Sequence, residues 1–590
     1  MSTLKKPKYA ILLVFVAVGS FLLGNAADRT IHAADNIFSS TRLLMGVLNL
    51  VNDNYVEEVE PGELIYAAID GMLEVLDPHS SFLSKESFAE MGERFSGKFY
   101  GIGIEFDVLD GFLYVISVID ESPSEAVGLQ SGDRIVRIDG ESAIGIKHDE
   151  VRQRLRGEKG TRVDVTIERP GVDERFDVTI TRDSIPIRSV RTSFMLEDQT
   201  GYIQLIRFAK TTSRELETAL DRLQQAGMER LILDLRGNSG GYLDQAVEVS
   251  SKFIPEGRVI VKTMGRNRSS NQTFKSISGV NHREMPLVIL LDHRSASASE
   301  IVAGAVQDWD RGVIAGTRSF GKGLVQTLFA EPHLTDGSAL KLTTARYYTP
   351  SGRMIQRDYK NKSFQEYVEG SFSEAGETGE AGYETGSDTE TGTESDTDED
   401  RAKEAEQADQ AEQADQAEQA DQAGRADEAD HTDITERTEF TTAAGRTVYG
   451  DGGISPDVVI PAPKRTYPFV IGKYRGWVPF DRACFEFANA YSVSQADRQD
   501  LRDDFDVFLQ EFQVEEAMLE AFKVQVRDSG ISFSDEEFND DRDVIELQLK
   551  RALARNLWGD EEASRVAAAG DEQLQQARQL FYSHEMLVQQ

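Results

Sequence analysis

Cysteine is nearly absent from this chain, with one residue, Cys484, in 590. A lone thiol closes no internal disulfide, so the fold does not depend on an oxidising compartment. Its neighbours, Phe480-Asp481-Arg482-Ala483-Cys484-Phe485, read as a helix face, which favours a buried structural thiol over a nucleophile. Positive charge is in short supply too. Lys and Arg total 64 against 102 Asp and Glu, a formal net of −38. Nucleic acid and anionic membrane surfaces repel such a protein and are excluded as main partners. The eight histidines are scattered and no H-E-x-x-H occurs, which disfavours a metalloprotease, and no metal is expected. Apolar residues make up only 39%, and the deficit is local. Ser371 to Asp430 carries 21 Asp/Glu against 3 Lys/Arg and almost no large apolar side chains. A segment of that kind cannot bury enough area to offset chain ordering, so 366–439 is expected to be a disordered acidic insert.

What is present divides the chain into several units, as its length requires. Lys5, Lys6 and Lys8 precede an uncharged apolar run from Tyr9 to Gly24, followed by the small residues Asn25-Ala26-Ala27. That is a basic region and an apolar core in the order of a secretory signal. The run is slightly shorter than the about 20 residues of a membrane span, so a cleaved signal peptide over 1–30 and an uncleaved anchor are both open. Either carries the rest of the chain out of the cytoplasm, to the cell envelope or periplasm. Apolar residues at helical spacing predict a helical region over 36–95, with helices at Thr41–Val56 and Leu64–Leu76. From Phe99 the period falls to about two, and 96–184 reads as short strands with one helix at Lys147–Leu155. Residues 190–365 alternate strands and helices in an α/β layered pattern, which Thr447–Tyr449 and Val458–Ile460 rejoin over 440–463. Residues 465–590 read as mostly helical. Together they describe a multidomain α+β protein.

Chemistry concentrates in four segments. The apolar run Ile289-Leu290-Leu291 leads through Asp292-His293-Arg294-Ser295-Ala296-Ser297-Ala298-Ser299-Glu300 into Ile301-Val302-Ala303-Gly304-Ala305, a strand, a tight turn and a helix. A serine there sits at a helix N-terminus, where free N–H groups and the helix dipole can stabilise an oxyanion, although such serines are also ordinary caps. Lys322 lies between Gly321 and Gly323 at the start of an apolar strand, with Gln326 four residues on and expected on the same strand face. Burial disfavours a charged lysine and moves it towards the range where it can take a proton from serine. Leu231 to Asp234 runs into Arg236-Gly237-Asn238-Ser239-Gly240-Gly241, a glycine loop that suits an anion nest and lacks the P-loop lysine spacing. The fourth segment is Tyr100-Gly101-Ile102-Gly103-Ile104 in its strand context.

These segments closely resemble the carboxyl-terminal processing peptidases, or tail-specific proteases. The resemblance implies a PDZ domain over 96–184 and a serine peptidase domain of crotonase-like or ClpP-like α/β core over 190–365 plus 440–463. It implies that the second serine of the Ser-Ala-Ser-Ala-Ser-Glu block, Ser297, is the nucleophile, that Lys322 is the general base, and that Gln326 supports it. Backbone N–H groups of Ala298 and of Gly240 or Gly241 would form the oxyanion hole, with the two glycines not distinguished. In the PDZ domain, Ile102, Gly103 and Ile104 would cap a peptide carboxylate while Val151 and Leu155 face its last apolar side chain. The expected activity is a serine endopeptidase acting on exported proteins with accessible apolar C-termini, needing no metal or organic cofactor. The helical regions at 36–95 and 465–590 are candidates for self-association or adaptor contact, and residues 9–24 for membrane association.

Overall fold

The computed structural model describes residues 38–582, apart from 369–437, 495–503 and short stretches at 110, 173, 278–281, 283, 361, 363–365, 464–465 and 475. The apolar run 9–24 and nearly all of the acidic insert lie outside the described residues. The chain divides into two compact units, one containing the residues up to Lys85 with Leu328–Leu342, the other the remainder.

In the first unit, helix α1 spans 38–54 and α2 spans Pro61–Glu74, while strand β1, Ser81–Leu83, pairs antiparallel with Ala339–Lys341. Helix α2 stops before the expected Leu76, and the chain turns at Asp77-Pro78. The Asp77 carboxylate accepts the N–H groups of His79 and Ser80, both at 2.9 Å, so His79 belongs to a capped turn.

The second unit begins with helix α3, Lys85–Ser96, and strand β2, Lys98–Gly101. The PDZ domain follows. Its strands β3 (Ile104–Leu109), β4 (Phe112–Val118), β5 (Arg134–Ile138), β6 (Glu141–Ser142), β7 (Arg162–Glu168) and β8 (Phe176–Thr181) form one sheet in the order β3-β4-β5-β7-β8, with β6 beside β5. Helices α4 (Pro123–Ala126) and α5 (His148–Leu155) complete it. Strand β9, Asp183–Pro186, pairs with β2. Alternation puts Leu113, Val115, Val163, Val165 and Ile167 into a core shared with Ile102, Ile104, Val151 and Leu155.

The peptidase domain is built on a six-stranded sheet. Its strands are β10 (Val190–Met195), β11 (Thr200–Leu205), β12 (Arg230–Asp234), β15 (Leu287–Leu291), β16 (Val313–Gly316) and β21 (Val458–Val459), in that spatial order. All neighbours from β11 onward are parallel. Helices α6 (Thr212–Gln225), α7 (Leu243–Ser251) and α8 (Ala298–Asp308) are the crossovers. Between them β13 (Val259–Met264) and β14 (Gln272–Lys275) pair with each other, β17 (Leu324–Phe329) pairs with β18 (Ala339–Tyr348), and β13 also pairs with the last residues of β18. Strand β15 is apolar throughout because both of its faces are covered. Leu287, Ile289 and Leu291 meet the core formed with α6, α7 and α8, while Val288 and Leu290 face the opposite layer.

That opposite layer comes from the C-terminal region. After α9 (Val470–Tyr474), α10 (Trp477–Ser494), α11 (Phe505–Glu511), α12 (Glu516–Asp528), α13 (Asp535–Asp540) and α14 (Arg542–Leu557), helices α15 (Asp560–Ala569) and α16 (Glu572–Gln579) bring Ala568, Leu574 and Ala577 onto the sheet. The C-terminal region is therefore a structural layer of the peptidase domain. It has its own aromatic core around Phe469, Phe480 and Phe522. Cys484 is buried in that core, and burial pushes its thiol up, as expected for a structural cysteine.

Two expectations need correction. Thr447–Tyr449 (β20) pairs with Glu439–Thr441 (β19) as a separate hairpin, and only Val458–Val459 joins the main sheet. Lys322 precedes β17 instead of opening it, so the period-two argument that placed it on the face of Gln326 does not apply.

Phe522 touches the rings of Phe480, Phe487 and Phe538 at 5.4–6.5 Å between centroids. Phe522→Ala is expected to destabilise the C-terminal region by about 3–5 kcal/mol. The loss should register as an earlier urea transition in the fluorescence of Trp477 and Trp558, which lie in the same core.

Candidate active site

Three adjacent parallel strands, β12, β15 and β16, end at the same edge of the sheet. Their carboxyl ends release the glycine loop, the serine turn and the lysine loop respectively, and that edge is where α/β sheets collect functional groups. Segments as far apart in the chain as Arg236 and Lys322 are thereby brought to one place by sheet order alone.

The serine turn separates its three hydroxyls. Ser295 is fully buried and its Oγ donates to the carbonyl of Leu235 at 2.9 Å. Ser299 is also fully buried, with Oγ 2.8 Å from the carbonyl of Asn238. Ser297 is only half-buried and is the N-cap of α8. Its φ of +56° lies in the left-handed region that side-chain-bearing residues avoid, which marks a strained turn. The cap and the serine that the resemblance expects to be the nucleophile thus coincide on one residue.

Gly240 packs against this turn so tightly that an added Cβ would lie 2.8 Å from the Ser297 Cβ and 2.9 Å from the Ala298 nitrogen. Its N–H is already committed to Asn238 Oδ1 at 2.9 Å. Gly241, where a Cβ would meet the Phe208 carbonyl oxygen at 2.2 Å, has its N–H without a hydrogen bond among the described residues. The first helical N–H, that of Ala298, is in the same condition. Asn238 staples the two loops. It is buried, donates Nδ2–H to the Leu205 carbonyl at 2.7 Å, and accepts the Ala296 N–H on its own carbonyl at 3.0 Å. Gly237 to Gly241 also spells G-x-S-x-G, but its serine, Ser239, is exposed and stands clear of helix α7, which starts only at Leu243.

The lysine loop is tied in through a residue that the family resemblance did not assign a role. Glu300 is fully buried. Its carboxylate accepts Ser297 N–H at 2.7 Å, Ser319 Oγ–H at 2.6 Å, Gly321 N–H at 2.7 Å and Lys322 N–H at 2.9 Å. The Ser297 and Lys322 bonds fall on the same oxygen, Oε2. Burial pushes the Glu300 carboxyl up, outweighing the four donors that favour its ionised form. Tyr347 of β18 makes a matching bridge on the carbonyl side, donating to the Ser297 carbonyl at 3.2 Å and to that of Lys322. Gly321 and Gly323 have no room for side chains, since Cβ atoms there would meet Gly453 nitrogen at 3.0 Å and Gln356 nitrogen at 2.9 Å. Lys322 itself is half-buried. Gln326 lies on β17 with its Nε2 buried and unbonded among the described residues. Of the residues expected from sequence, Ser297, Ala298, Gly240, Gly241 and Lys322 are gathered by this network. Asn238, Glu300 and Tyr347 were not anticipated, although the spacing Ser297-x-x-Glu300 carried the capping-box signal.

The glycine loop is braced from the C-terminal region. Arg236 forms ion pairs at 2.6 Å with both Asp234 and Asp571, and its Nη1 reaches Gln573 Oε1 at 3.0 Å. Gln573 in turn donates to the Ile460 carbonyl at 2.7 Å.

In the PDZ domain the structure keeps Ile102, Ile104, Val151 and Leu155 in one buried cluster. Gly103, at φ +85°, leaves no space for a Cβ, which would fall 2.3 Å from that of Ser122. Among the described residues strand β3 pairs with β4 alone, and α5 meets it through His148 and Asp107.

With this geometry in view, the relatives become informative. Residues 199–361 match Peptidase family S41 and residues 101–180 match the PDZ domain. Residues 27–87 match the N-terminal domain of the activating protease CtpB, and 485–559 match a family of unknown function. A carboxy-terminal-processing protease of Bartonella bacilliformis is 38% identical over 352 residues, covering 58% of this chain and 80% of that one. The carboxy-terminal processing protease CtpA of Bacillus subtilis is 33% identical over 356 residues, 59% of this chain and 74% of its own. Among solved structures, a photosystem II D1 C-terminal processing protease shares 29% identity over 53% of this chain and 89% of that one, with a TM-score of 0.30. Fold and relatives together define a serine-type peptidase carrying a PDZ domain. The chain belongs to Peptidase family S41, among the carboxy-terminal processing proteases.

Two variants test the network. Glu300→Gln keeps the volume but sets an amide N–H₂ against N–H donors, so kcat should fall by about 10²-fold with KM little changed. Asp571→Ala should lower kcat less, by about tenfold, through a looser Arg236 and glycine loop. Steady-state cleavage of an unfolded protein substrate, with far-UV circular dichroism as the fold control, measures both.

Proposed function

We propose that the protein is an endopeptidase in which Ser297 is the nucleophile and Lys322 its general base, acting on exported proteins whose C-terminal tails are held by the PDZ domain. The observation that carries this reading is the single oxygen of Glu300 that accepts both backbone N–H groups, so the two residues are anchored side by side at the sheet edge. The neutral amine of Lys322 takes the proton from the Ser297 hydroxyl as its oxygen attacks the peptide carbonyl. The tetrahedral oxyanion is stabilised by the N–H groups of Gly241 and Ala298, while Gly240, whose N–H is spent on Asn238, acts by its close packing. The protonated Lys322 then gives its proton to the leaving amine, and the acyl-enzyme is cleared by water through the same groups in reverse order. The family resemblance gives the orienting role to Gln326, whose buried Nε2 has no bond among the described residues. No step calls on a metal or cofactor.

Tail capture uses the backbone N–H groups of Ile102, Gly103 and Ile104 for the terminal carboxylate, with the peptide added as a strand to the open edge of β3. Val151 and Leu155, together with Ile102 and Ile104, line the place of the last apolar side chain. Export rests on the basic and apolar N-terminal pattern, and cell fractionation of the full chain tests it.

Ser297→Ala and Lys322→Ala should each reduce cleavage of an unfolded substrate to background while C-terminal peptide binding persists. Retained cutting by either variant would assign the chemistry to another nucleophile or base. Activity of the unaltered protein should rise with pH as the lysine gives up its proton, and a rate that vanishes above neutrality would contradict a lysine base.

A further inference from the structure

The open edge of β3 carries a charged group that the tail-binding reading does not use. Along β3, Ile104, Phe106 and Val108 pack towards the PDZ core, so Asp107 points to the opposite face, beside its antiparallel partner Tyr114. Three elements meet there. His148, the first residue of α5, places Nε2 at 2.9 Å from Asp107 Oδ1 and stacks its ring on Phe106 at 4.9 Å. From the C-terminal region, Arg482 of α10 donates Nε–H and Nη2–H to Asp107 Oδ2 at 3.0 and 2.6 Å. The same region is seated on the PDZ domain elsewhere, where Ser131 Oγ meets Asn556 Oδ1 at 3.3 Å. Asp107 is held below the usual carboxylate range; burial opposes this, and the bonds from His148 and Arg482 outweigh it.

We propose that Asp107 is a charge-selecting subsite of the PDZ groove, specific for a basic side chain in the substrate tail, and that Arg482 occupies it in the resting protein. This rests on the tail-binding reading above. A tail whose carboxylate meets Ile102 to Ile104 runs antiparallel to β3, so Asp107 faces the residue about three before the C-terminal one. Directly opposed residues in an antiparallel pair project to the same face with Cβ atoms about 5 Å apart. The tail's side chain at that position therefore enters the space that the Arg482 guanidinium fills. Arg482 itself demonstrates what the carboxylate accepts: a planar cation bonded through two N–H groups to one oxygen. The occupant is replaceable, since the Arg482 side chain is 40% exposed and Asp107 23% exposed, a setting in which an ion pair is modest and easily exchanged. Exchange leaves the carboxylate paired, whereas a neutral or acidic side chain displaces the guanidinium and puts nothing in its place.

The test uses the full chain carrying Ser297→Ala, to prevent turnover, and fluorescence anisotropy with labelled peptides. The peptides share an apolar C-terminus and differ by Arg, Gln or Glu at the third residue before the last, with a C-terminally amidated Arg peptide as control. The Arg peptide should bind about three- to fivefold more tightly than the Gln peptide and the Glu peptide most weakly, with the spread shrinking at high salt. Asp107→Asn should erase the ranking while apolar tails still bind. Arg482→Ala should tighten the Arg peptide by a similar factor, because the internal competitor is gone. Equal binding of Arg and Gln peptides to the protein with Asp107 intact overturns the charge subsite and leaves tail capture standing. If the amidated control binds as well as the free acid, or nothing binds, tail capture itself fails.

Discussion

The arrangement of the active edge depends on one buried carboxylate. Glu300 sits at the first turn of α8, out of contact with water, and takes hydrogen bonds from both the serine turn and the lysine loop. A carboxylate in such a place is costly unless every oxygen is satisfied, and four donors satisfy it here. That requirement works in both directions. The loops cannot relax without stranding a buried acid, and the acid cannot move without stranding four donors. Side chains on two separate connections are thereby held to a tolerance that neither loop would keep alone. Tyr347 repeats the constraint on the carbonyl side, so Ser297 and Lys322 are each held by both their backbone N–H and their carbonyl.

The sheet supplies the frame for this pin, and the sheet is complete only with the C-terminal helices. Parallel strands bury both faces, and the second face of β12, β15 and β16 is covered by Ala568, Leu574 and Ala577. The same helices send Asp571 and Gln573 to Arg236, the residue that introduces the glycine loop. A region that looks peripheral along the chain is thus continuous with the catalytic edge. It also reaches the PDZ domain through Arg482, which makes it a physical link between the groove and the sheet.

How much of this was legible in the sequence follows from the range of each interaction. Strands β4, β15 and β17 and helix α8 are the most legible elements, because their apolar patterns are strong and local. Strand β10 is harder to read because it buries Thr192 and Ser193 among its apolar residues, and β18 because its exposure does not alternate. The glycines flanking Lys322 were visible as an oddity, yet their cause, the close approach of Gln356 and Gly453, involves partners far along the chain. The roles of Asn238 and Tyr347 were hidden for the same reason. Glu300 is the instructive case. Its capping-box spacing was readable, but a cap accounts for only one of its four bonds, and the other three come from a loop whose position the sheet order decides.

Strain and burial also explain why one serine of three stands out. Ser295 and Ser299 are two positions on either side of Ser297, and their hydroxyls are spent on the carbonyls of the glycine-loop segment. Those bonds pull the turn against the loop from both sides and leave the middle residue at φ +56°. Such a backbone conformation persists only where its surroundings enforce it. Here the enforcement is the pair of serine bonds, the Glu300 carboxylate on the Ser297 N–H and the bare Cα of Gly240 against its Cβ. The repeated small residues of the turn are therefore a geometric requirement. Larger neighbours would separate the turn from the glycine loop, whose Gly240 packs close against the Ser297 Cβ and the Ala298 nitrogen.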